Sequence, residues 1–401
     1  MTDMHIIIHT QYYPPEIGAP QTRLHELAVE LSRRNIRVTV LTAMPNYPRG
    51  RIYEGYGGWF REEMLDGIRV IRTAIYPSQS VKFLPRLFSY LSFVFSSTWI
   101  GIAKIERADF LLTESPPLFL GVAGWILSRW KKAAWIFNIS DLWPLSVVEL
   151  GLLDQRGLGY KLSSWLEKML YRGAWLVTGQ SRTIIANIHE RFPHVRVYHL
   201  SNGVNTGYFQ PNDSQAGGGK FQMIYAGLHG VAQGLDLILL AAEKIQSAGE
   251  VRFTLVGDGP EKGKLLDMAR RLGLENVNFC EPVAKEEMPG VLTSADALIV
   301  PLKIQLTGAV PSKLYEAMSM GKPIILIAEG EAAQIVREAG CGLVVRPGDL
   351  DGFVAAIAHL SADPQACKTM GANGRLAAIR NHDRAQIAEQ FANHLLSAIE
   401  L

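Results

Sequence analysis

A repeating pattern of short apolar runs constrains the fold of this chain more than any other feature. Each run is rich in β-branched or aromatic residues and is followed by residues with helical periodicity. In the first half the runs are HIIIHT, RVTVLT, DFLLTE, AAWIFNIS, WLVTGQ and VRVYHL; in the second they are FQMIYAG, RFTLVGDG, NVNFCEP, ALIVPL, PIILIAEG and GLVVRP. Apolar strands that alternate with helices predict parallel sheets covered by helices on both faces.

The number of runs predicts two domains. A dozen strands exceed one ordinary doubly wound sheet, and 401 residues suit two or three domains. The pattern restarts near residue 220, after a connection rich in Gly, Asn, Ser and Pro, SNGVNTGYFQPNDSQAGGGK. We therefore predict an α/β protein of two Rossmann-like domains facing across a cleft, with ligands beyond the carboxyl ends of the strands.

Cysteine usage and the first residues predict a cytoplasmic protein. The three cysteines, Cys280, Cys341 and Cys367, are far apart in the sequence, which argues against a disulfide framework or a structural zinc site and favours a reducing compartment. The opening MTDMHIIIHTQYYPP lacks a basic segment followed by an apolar one, so no secretory signal peptide is predicted.

Charge and tryptophan are distributed unevenly. Residues 1–200 contain 23 Lys and Arg against 16 Asp and Glu, whereas the remainder contains 17 against 22, and all eight tryptophans lie in the first half. A basic domain suits an anionic membrane or a phosphorylated substrate. The alternative is chance, combined with tryptophans that serve the core.

One uncharged segment bears on the membrane question. Residues 87–103, LFSYLSFVFSSTWIGIA, lie between Arg86 and Lys104 and include five Ser or Thr. A spanning helix needs about 20 mostly apolar residues, so we predict no transmembrane helix. A buried helix and a helix lying at the bilayer interface both remain open.

The loop after the first strand is a candidate binding loop. It reads YYPPEIGAPQTRLHELAVELSRRN, where Gly18 gives backbone freedom and Pro20 suits the first turn of a helix. A helix N-terminus behind such a loop can bind an anion. The alternative is a tight strand–helix turn without a ligand.

A second candidate site is QLTGAVPSKLYEAMSMGKPIIL. Pro311 and Ser312 predict a helix start, and Gly321 predicts its end. Lys313 and Glu316 share one helix face. The cation suits a phosphate, and the carboxylate suits the two hydroxyls of a ribose. The alternative is an amphipathic helix with an exposed ion pair.

Two other motifs are weaker. Gly257, Gly259 and Gly263 form G-x-G-x-x-x-G, one residue off the dinucleotide fingerprint. Asp349 and Asp351 resemble a metal-binding pair, but their place after Pro-Gly favours helix capping. No cluster has metal-ligand spacing, so no metal site is predicted.

Taken together, these stretches resemble glycosyltransferase family 4, and within it the branch of N-acetylfucosamine and colanic-acid glycosyltransferases of surface-polysaccharide assembly. The resemblance rests on six stretches in order: YYPPEIGAPQTRLHELAVELSRRNIRVTVLTAMPNYP, NISDLWP, SNGVNTGYF, YAGLHGVAQGLDLILLAA, LVGDGP and VPSKLYEAMSMGKPI. It implies the GT-B fold, with an acceptor-side domain over 1–205, a nucleotide-sugar domain over 206–382, and a C-terminal helix within 383–401 that packs back on the first domain.

The activity implied by the resemblance is retaining transfer of a sugar, an N-acetylated hexose in this branch, from a UDP-sugar. The acceptor is a lipid-linked glycan of a surface polysaccharide such as O-antigen. The implied enzyme needs no metal or other cofactor and no nucleic acid. It works as a peripheral protein at the inner face of the cell membrane.

The resemblance also implies roles for particular residues. Glu316 matches the second glutamate of the E-x₇-E motif and would bind the ribose, and Lys313 would contact the diphosphate. Gly18 and Ala19 would bring the first-domain loop to the substrates, and Asp141 of NISDLWP would line the reaction centre. Further substrate contacts are expected from Gly227, Gly230, Asp258, Thr307, Gly308, Val310 and Ser312.

The chain departs from the family pattern at three positions. The first glutamate of E-x₇-E falls at Gly308, so backbone groups of residues 307–310 are expected to replace it. Leu228 and Gln233 stand where many members have Arg and Lys. This shifts the expected phosphate contacts onto Lys313 and the helix N-terminus, with further N–H donors expected from the backbone near Gly227 and Gly230. Other functions remain open: a nucleotide-sugar epimerase or hydrolase, an NAD-dependent oxidoreductase, or an exported two-lobed solute-binding protein.

Overall fold

The computed structural model describes residues 4–78, 83–211 and 219–399. The chain forms two compact units, Met1–Asn202 with Arg384–Leu401, and Gly203–Asp383. They are called the first and the second unit.

The first unit contains an eight-stranded sheet. Its strands are β1 (His5–His9), β2 (Arg37–Ala43), β3 (Phe60–Leu65), β4 (Ile68–Thr73), β5 (Phe110–Ser115), β6 (Ala134–Ile139), β7 (Leu176–Gly179) and β8 (Val197–His199). They are ordered β3-β4-β2-β1-β5-β6-β7-β8, and every neighbouring pair is parallel except β3 with β4. All six runs predicted in this half are strands.

The hairpin of β3 and β4 was not predicted. Asp66 and Gly67 connect the two strands with φ values of 49° and 76°. An Asp-Gly pair with two positive φ angles is typical of the tight turn that joins antiparallel strands. β3 is the edge strand and is largely exposed, so it lacks the continuous apolar run by which the other strands were recognised.

Helices cover both faces of this sheet. They are α1 (Ala19–Arg33), α2 (Phe83–Lys104), α3 (Leu120–Lys131), α4 (Leu145–Glu149), α5 (Leu158–Gly173) and α6 (Arg182–Arg191). α1 buries Leu24, Ala28 and Leu31 in the core on one face. α3 and α5 contribute Leu127 and Leu170 to a second core on the other face.

The second unit contains a six-stranded parallel sheet. Its strands are β9 (Phe221–Ala226), β10 (Val251–Val256), β11 (Val277–Cys280), β12 (Ala297–Pro301), β13 (Ile324–Ile327) and β14 (Gly342–Val345), and its helices are α7 (Asp236–Ile245), α8 (Lys262–Arg271), α9 (Met288–Thr293), α10 (Ser312–Ser319), α11 (Gly330–Ala339), α12 (Leu350–Ala362) and α13 (Pro364–Asn381). The strand order is β11-β10-β9-β12-β13-β14. All six runs predicted in this half are strands.

The last helix, α14 (Arg384–Ile399), belongs to the first unit. It packs against α1 and buries Phe391 and Leu395 in the same core. Arg384 holds its start, because Nη1 donates to Glu26 Oε2 at 2.6 Å and Nε donates to the carbonyl of Asn202 at 2.8 Å.

Both sheets have the strand order of a Rossmann fold. The order reverses between β1 and β5 in the first unit and between β9 and β12 in the second. Ligands of such sheets bind beyond the strand carboxyl ends at that switch point. The loops after these strands are therefore the places to look for a functional site in each unit.

Candidate functional site

In the second unit, α10 places Lys313 and Glu316 next to the switch point. It follows β12 and begins at Ser312, directly after Pro311, and no side chain caps its N-terminus. Gly321, with φ of 64°, follows its last turn. The predicted start and end of this helix are confirmed.

Lys313 and Glu316 have no partners in the part of the chain that the structure describes. Both are half-buried, and neither forms an ion pair or a side-chain hydrogen bond with the described residues. The neighbouring Leu314, Tyr315 and Ala317 are buried in the core and hold the helix in place. The exposed ion pair considered from the sequence therefore does not form here.

Gly227, which follows β9, makes room for Lys313. A Cβ at residue 227 would lie 2.0 Å from Lys313 Cε and 2.5 Å from Nζ, and the φ of Gly227 is 155°. Any other residue would displace the ammonium. The structure thus brings together two predicted site residues that lie 86 positions apart in the sequence.

The loops after β9 and β10 lie against each other through their backbones. The amide of His229 donates to the carbonyl of Asp258 at 2.8 Å. A Cβ on Gly257 would lie 1.9 Å from the carbonyl oxygen of Gly227, and one on Gly259 would lie 2.5 Å from that of His229. These glycines are required by close backbone approach rather than by the dinucleotide fingerprint.

Two predicted contact residues have local roles in these loops. The carboxylate of Asp258 accepts a hydrogen bond from the Gly259 amide at 2.8 Å. Gly230 is buried and precedes a short 3₁₀ turn over Val231–Gln233. Both lie in the interlocked loops near Lys313, and their substrate contacts remain predictions.

His229 is a feature that sequence reasoning missed. Its side chain is fully buried, and neither ring nitrogen has a partner within the described structure. Burial, with a smaller effect of the Lys262 charge, lowers the pKa of His229, so the ring is neutral at physiological pH. A single histidine within a glycine-rich loop carried no pattern that could have revealed it.

The loop between β12 and α10 explains the missing family glutamate. Gly308 has a φ of 79°, a backbone conformation that strains residues with a side chain. Val310 is buried and fixes the end of the loop. Thr307 precedes Gly308, and Ser312 is the first residue of α10. The replacement of the family carboxylate by backbone groups of this loop stays a prediction.

In the first unit, Gly18 and Ala19 begin α1, with Pro20 at its second position. The carbonyl of Gly18 accepts from the Thr22 amide at 3.1 Å. This confirms the predicted helix start. Binding of an anion at this helix start stays a prediction.

A buried polar cluster occupies the strand ends of the first unit and was not predicted. Glu114, the fifth residue of β5, accepts from Arg23 Nη2 and from Ser140 Oγ, both at 2.5 Å. Asn138 donates to the other oxygen of Glu114, and Arg23 Nη1 also donates to Asn202 at 2.7 Å. The cluster ties α1 to β5 and β6.

Asp141 directly follows this cluster. Its side chain is half-buried and makes no hydrogen bond with the described residues. Burial raises the pKa of Asp141, the negative charge of Glu114 raises it further, and Arg23 opposes the shift. An unpartnered carboxyl with a raised pKa at a strand end is typical of a functional group.

Glu16 is a further buried carboxylate in the loop before α1. One oxygen accepts from the amides of Asn46 and Tyr47 at 2.7 and 2.8 Å, and the other accepts from the Tyr13 amide at 3.2 Å. Burial raises the pKa of Glu16 and these hydrogen bonds oppose the shift. Glu16 therefore organises the loop that contains Gly18.

The acidic pair near α12 has structural roles. Asp349 caps α12 by accepting from the Gly352 amide at 2.8 Å, which confirms the capping interpretation. Asp351 pairs with Lys244 at 2.6 Å. Among the residues that the structure describes, no group of three or more His, Cys, Asp or Glu could hold a metal ion.

Two families match the two halves of the chain. Residues 18–203 match the family described as "Glycosyl transferase 4-like domain", and residues 209–377 match "Glycosyl transferases group 1".

Relatives of known name extend over the whole chain. The colanic acid biosynthesis glycosyl transferase WcaI of Escherichia coli K12, so named provisionally, is 25% identical over 98% of this chain and 100% of its own. Sucrose-phosphate synthase from Thermosynechococcus elongatus has a TM-score of 0.79 at 19% identity, covering 99% of both chains. Anabaena HepE in complex with UDP has a TM-score of 0.73 at 19% identity, covering 98% of this chain and 100% of that one. The predicted GT-B fold is confirmed.

Proposed function

This chain belongs to the glycosyltransferases, with a glycosyl transferase 4-like domain followed by a group 1 domain, and we propose that it transfers a sugar from a UDP-sugar to a lipid-linked glycan. The transferred sugar is an N-acetylated hexose, and the product belongs to a surface polysaccharide. The anomeric configuration is retained.

The observation that carries this proposal is the unpaired Lys313 and Glu316 at the switch point of the second sheet. A half-buried cation and a half-buried carboxylate that make no side-chain contact within the described structure can both form hydrogen bonds with a ligand. A nucleoside diphosphate offers both complements, an anionic diphosphate for Lys313 and two ribose hydroxyls for Glu316. The bound UDP in the HepE structure supports UDP as the nucleotide.

The proposed reaction breaks the bond between the anomeric carbon and the phosphate oxygen, and the bonding electrons stay on the diphosphate. Lys313 and backbone amides of the glycine loops stabilise this charge. The acceptor hydroxyl forms the new bond to the anomeric carbon, and its proton moves to the departing diphosphate. We assign Asp141 to the acceptor side, where its carboxyl orients that hydroxyl.

The lipid-linked acceptor places the enzyme at the cytoplasmic face of a membrane in this proposal. No helix among the described residues is long and apolar enough to span a bilayer. α2 has two different faces: Phe93 is fully buried, whereas Phe95 and Trp99 are exposed. The buried interpretation of residues 87–103 thus describes one face of α2, and the exposed aromatic residues of the other face support the proposed peripheral attachment.

A thermal-shift screen tests the nucleotide. UDP and UDP-N-acetylhexosamines should stabilise the protein by about 2.7 kcal/mol at 100 times their dissociation constant. GDP-sugars, CDP-sugars and NAD should not. Stabilisation by NAD alone would overturn the proposal in favour of an oxidoreductase.

Acceptor dependence separates transfer from the competing reactions on a nucleotide sugar. A transferase should release UDP only when a lipid-linked glycan is present. Release of UDP at the same rate without any acceptor would instead identify a hydrolase or an epimerase.

A further inference from the structure

The outward face of α5 is apolar although no part of the described structure covers it. Leu158, Leu162, Trp165 and Met169 recur at helical spacing, and Leu162 and Trp165 are 67% and 59% exposed. The opposite face is held in the core by Leu170 and Tyr171. Nothing in the sequence singled this helix out, because its apolar residues are divided between the two faces.

All exposed charged side chains of α5 are positive. Lys161, Lys168 and Arg172 are exposed beside the apolar stripe. The one acidic residue of the helix, Glu167, is fully buried and is held by both Nη atoms of Arg191. The outer face therefore combines apolar side chains with cations and has no exposed anion.

Two neighbouring helices also expose large apolar side chains. α3 packs between α2 and α5, and a Cβ at Gly173 would lie 3.2 Å from the Trp125 ring, so α3 contacts the end of α5. Neither α2 nor α3 contains an acidic residue. Their exposed large apolar residues are Leu84, Phe88, Leu91, Phe95 and Trp99 on α2, and Trp125 and Trp130 on α3.

We infer that the outer face of α5 is a second lipid-contacting element, which binds an anionic bilayer together with α2 and α3. Aromatic side chains favour the headgroup region, and each nearby Lys or Arg adds to the attraction of anionic lipid. The inference rests on the proposed membrane location and is independent of the sugar chemistry. Charge complementarity selects a bilayer with anionic lipid over a neutral one.

Exposed positions allow the face to be changed without removing core packing. Leu162→Ser with Trp165→Ser should weaken binding to phosphatidylglycerol-containing vesicles about tenfold, since two apolar contacts with the bilayer are lost. Lys161→Glu with Lys168→Glu should weaken it at least as much and reduce its salt dependence. The matched control is Leu376→Ser with Ile379→Ser, an exposed apolar pair on α13 of the second unit, which should bind vesicles like the wild type.

Co-sedimentation at low salt measures these affinities, and calorimetry with UDP is run on every variant. Unchanged vesicle binding by both α5 variants, or no binding by the wild-type protein, would overturn the inference. A wild-type dimer that the Leu162 and Trp165 changes convert to a monomer would also overturn it, by assigning the face to a second copy. If the wild-type protein did not bind UDP, that result would contradict the proposed function but not the inference about α5.

Discussion

The two units have the same strand order but use their switch points differently. In the first unit the strand ends hold a buried cluster in which Glu114 is bound by Arg23, Ser140 and Asn138. Neither ring nitrogen of His9, at the end of β1, has a partner within the described structure. In the second unit the corresponding place is lined by glycine backbone, and Lys313 and Glu316 have no partner among the described residues. The same topology therefore holds a carboxylate bound by neighbouring side chains in one unit, and a cation and a carboxylate without described partners in the other.

Among the changes that test this difference between the units, Arg23→Met is expected to have the largest effect, a loss of stability. The change leaves Glu114 buried without its cation and should destabilise the protein by about 3–5 kcal/mol, measured by urea unfolding. Arg33→Met is the control, because Arg33 pairs with Glu30 at the surface, and it should cost at most about 1 kcal/mol. A loss below about 1 kcal/mol for Arg23→Met would show that the cluster is not a scaffold.

Lys313→Ala should have the next largest effect, on ligand binding rather than on stability. UDP loses a charge-assisted contact worth roughly 1.5–3 kcal/mol, whereas uridine loses little. Gly227→Ala, which displaces the ammonium, should give part of the same loss. Lys244→Ala is the control in calorimetry, because Lys244 forms an ion pair with Asp351 and is not among the predicted site residues. Equal losses for UDP and uridine would assign Lys313 a structural role.

Glu316→Gln should weaken the binding of UDP and uridine alike, because both contain the ribose. The lost charge on the acceptor corresponds to about 1–2 kcal/mol, and the amide keeps the shape of the side chain. Glu338→Gln on α11, an exposed position, provides the matched control. Wild-type affinity for UDP in a folded Glu316→Gln protein would remove this residue from the site.

Asp141→Asn should change the pH dependence of stability. Because the pKa of Asp141 is raised above 3.8 in the folded protein, the folded state binds that proton more tightly than the unfolded state. This contribution to stability is fully present below pH 3.8 and is lost as pH rises through the folded pKa. The variant should therefore be slightly more stable than the wild type at pH 7, with the difference closing in acid. Parallel pH profiles would contradict this.

The smallest expected effect is that of metal removal. Turnover should be unchanged in excess EDTA, since Asp349 and Asp351 are engaged in a helix cap and an ion pair. Loss of activity in EDTA that manganese or magnesium restores would require a metal site outside the arrangement described for the second unit.

Much of the fold was predictable from local sequence, and less of the site was. The apolar runs predicted twelve of the fourteen strands that the described residues form, and Gly321 predicted a helix end. The family resemblance named Lys313 and Gly227 as site residues, but only the structure showed that Gly227 makes room for Lys313. His229 and Glu16 were missed because no sequence pattern indicates their surroundings. His229 is buried without a partner among the described residues, and Glu16 is buried with backbone amides as partners.

The sequence by itself determined the features that depend on neighbouring residues: strands from β-branched runs, helix starts from proline and small residues, and the Asp349 cap. Only the tertiary structure decided the contacts between distant segments. Arg23 meets Glu114 across 91 residues, and the two faces of α5 differ because one side packs on the sheet. The physical reason is that local propensity depends on residues within one or two turns of the backbone. The surroundings of a charged side chain are formed by chain segments that meet only on folding, and these surroundings decide whether the charge is paired internally or left without a partner.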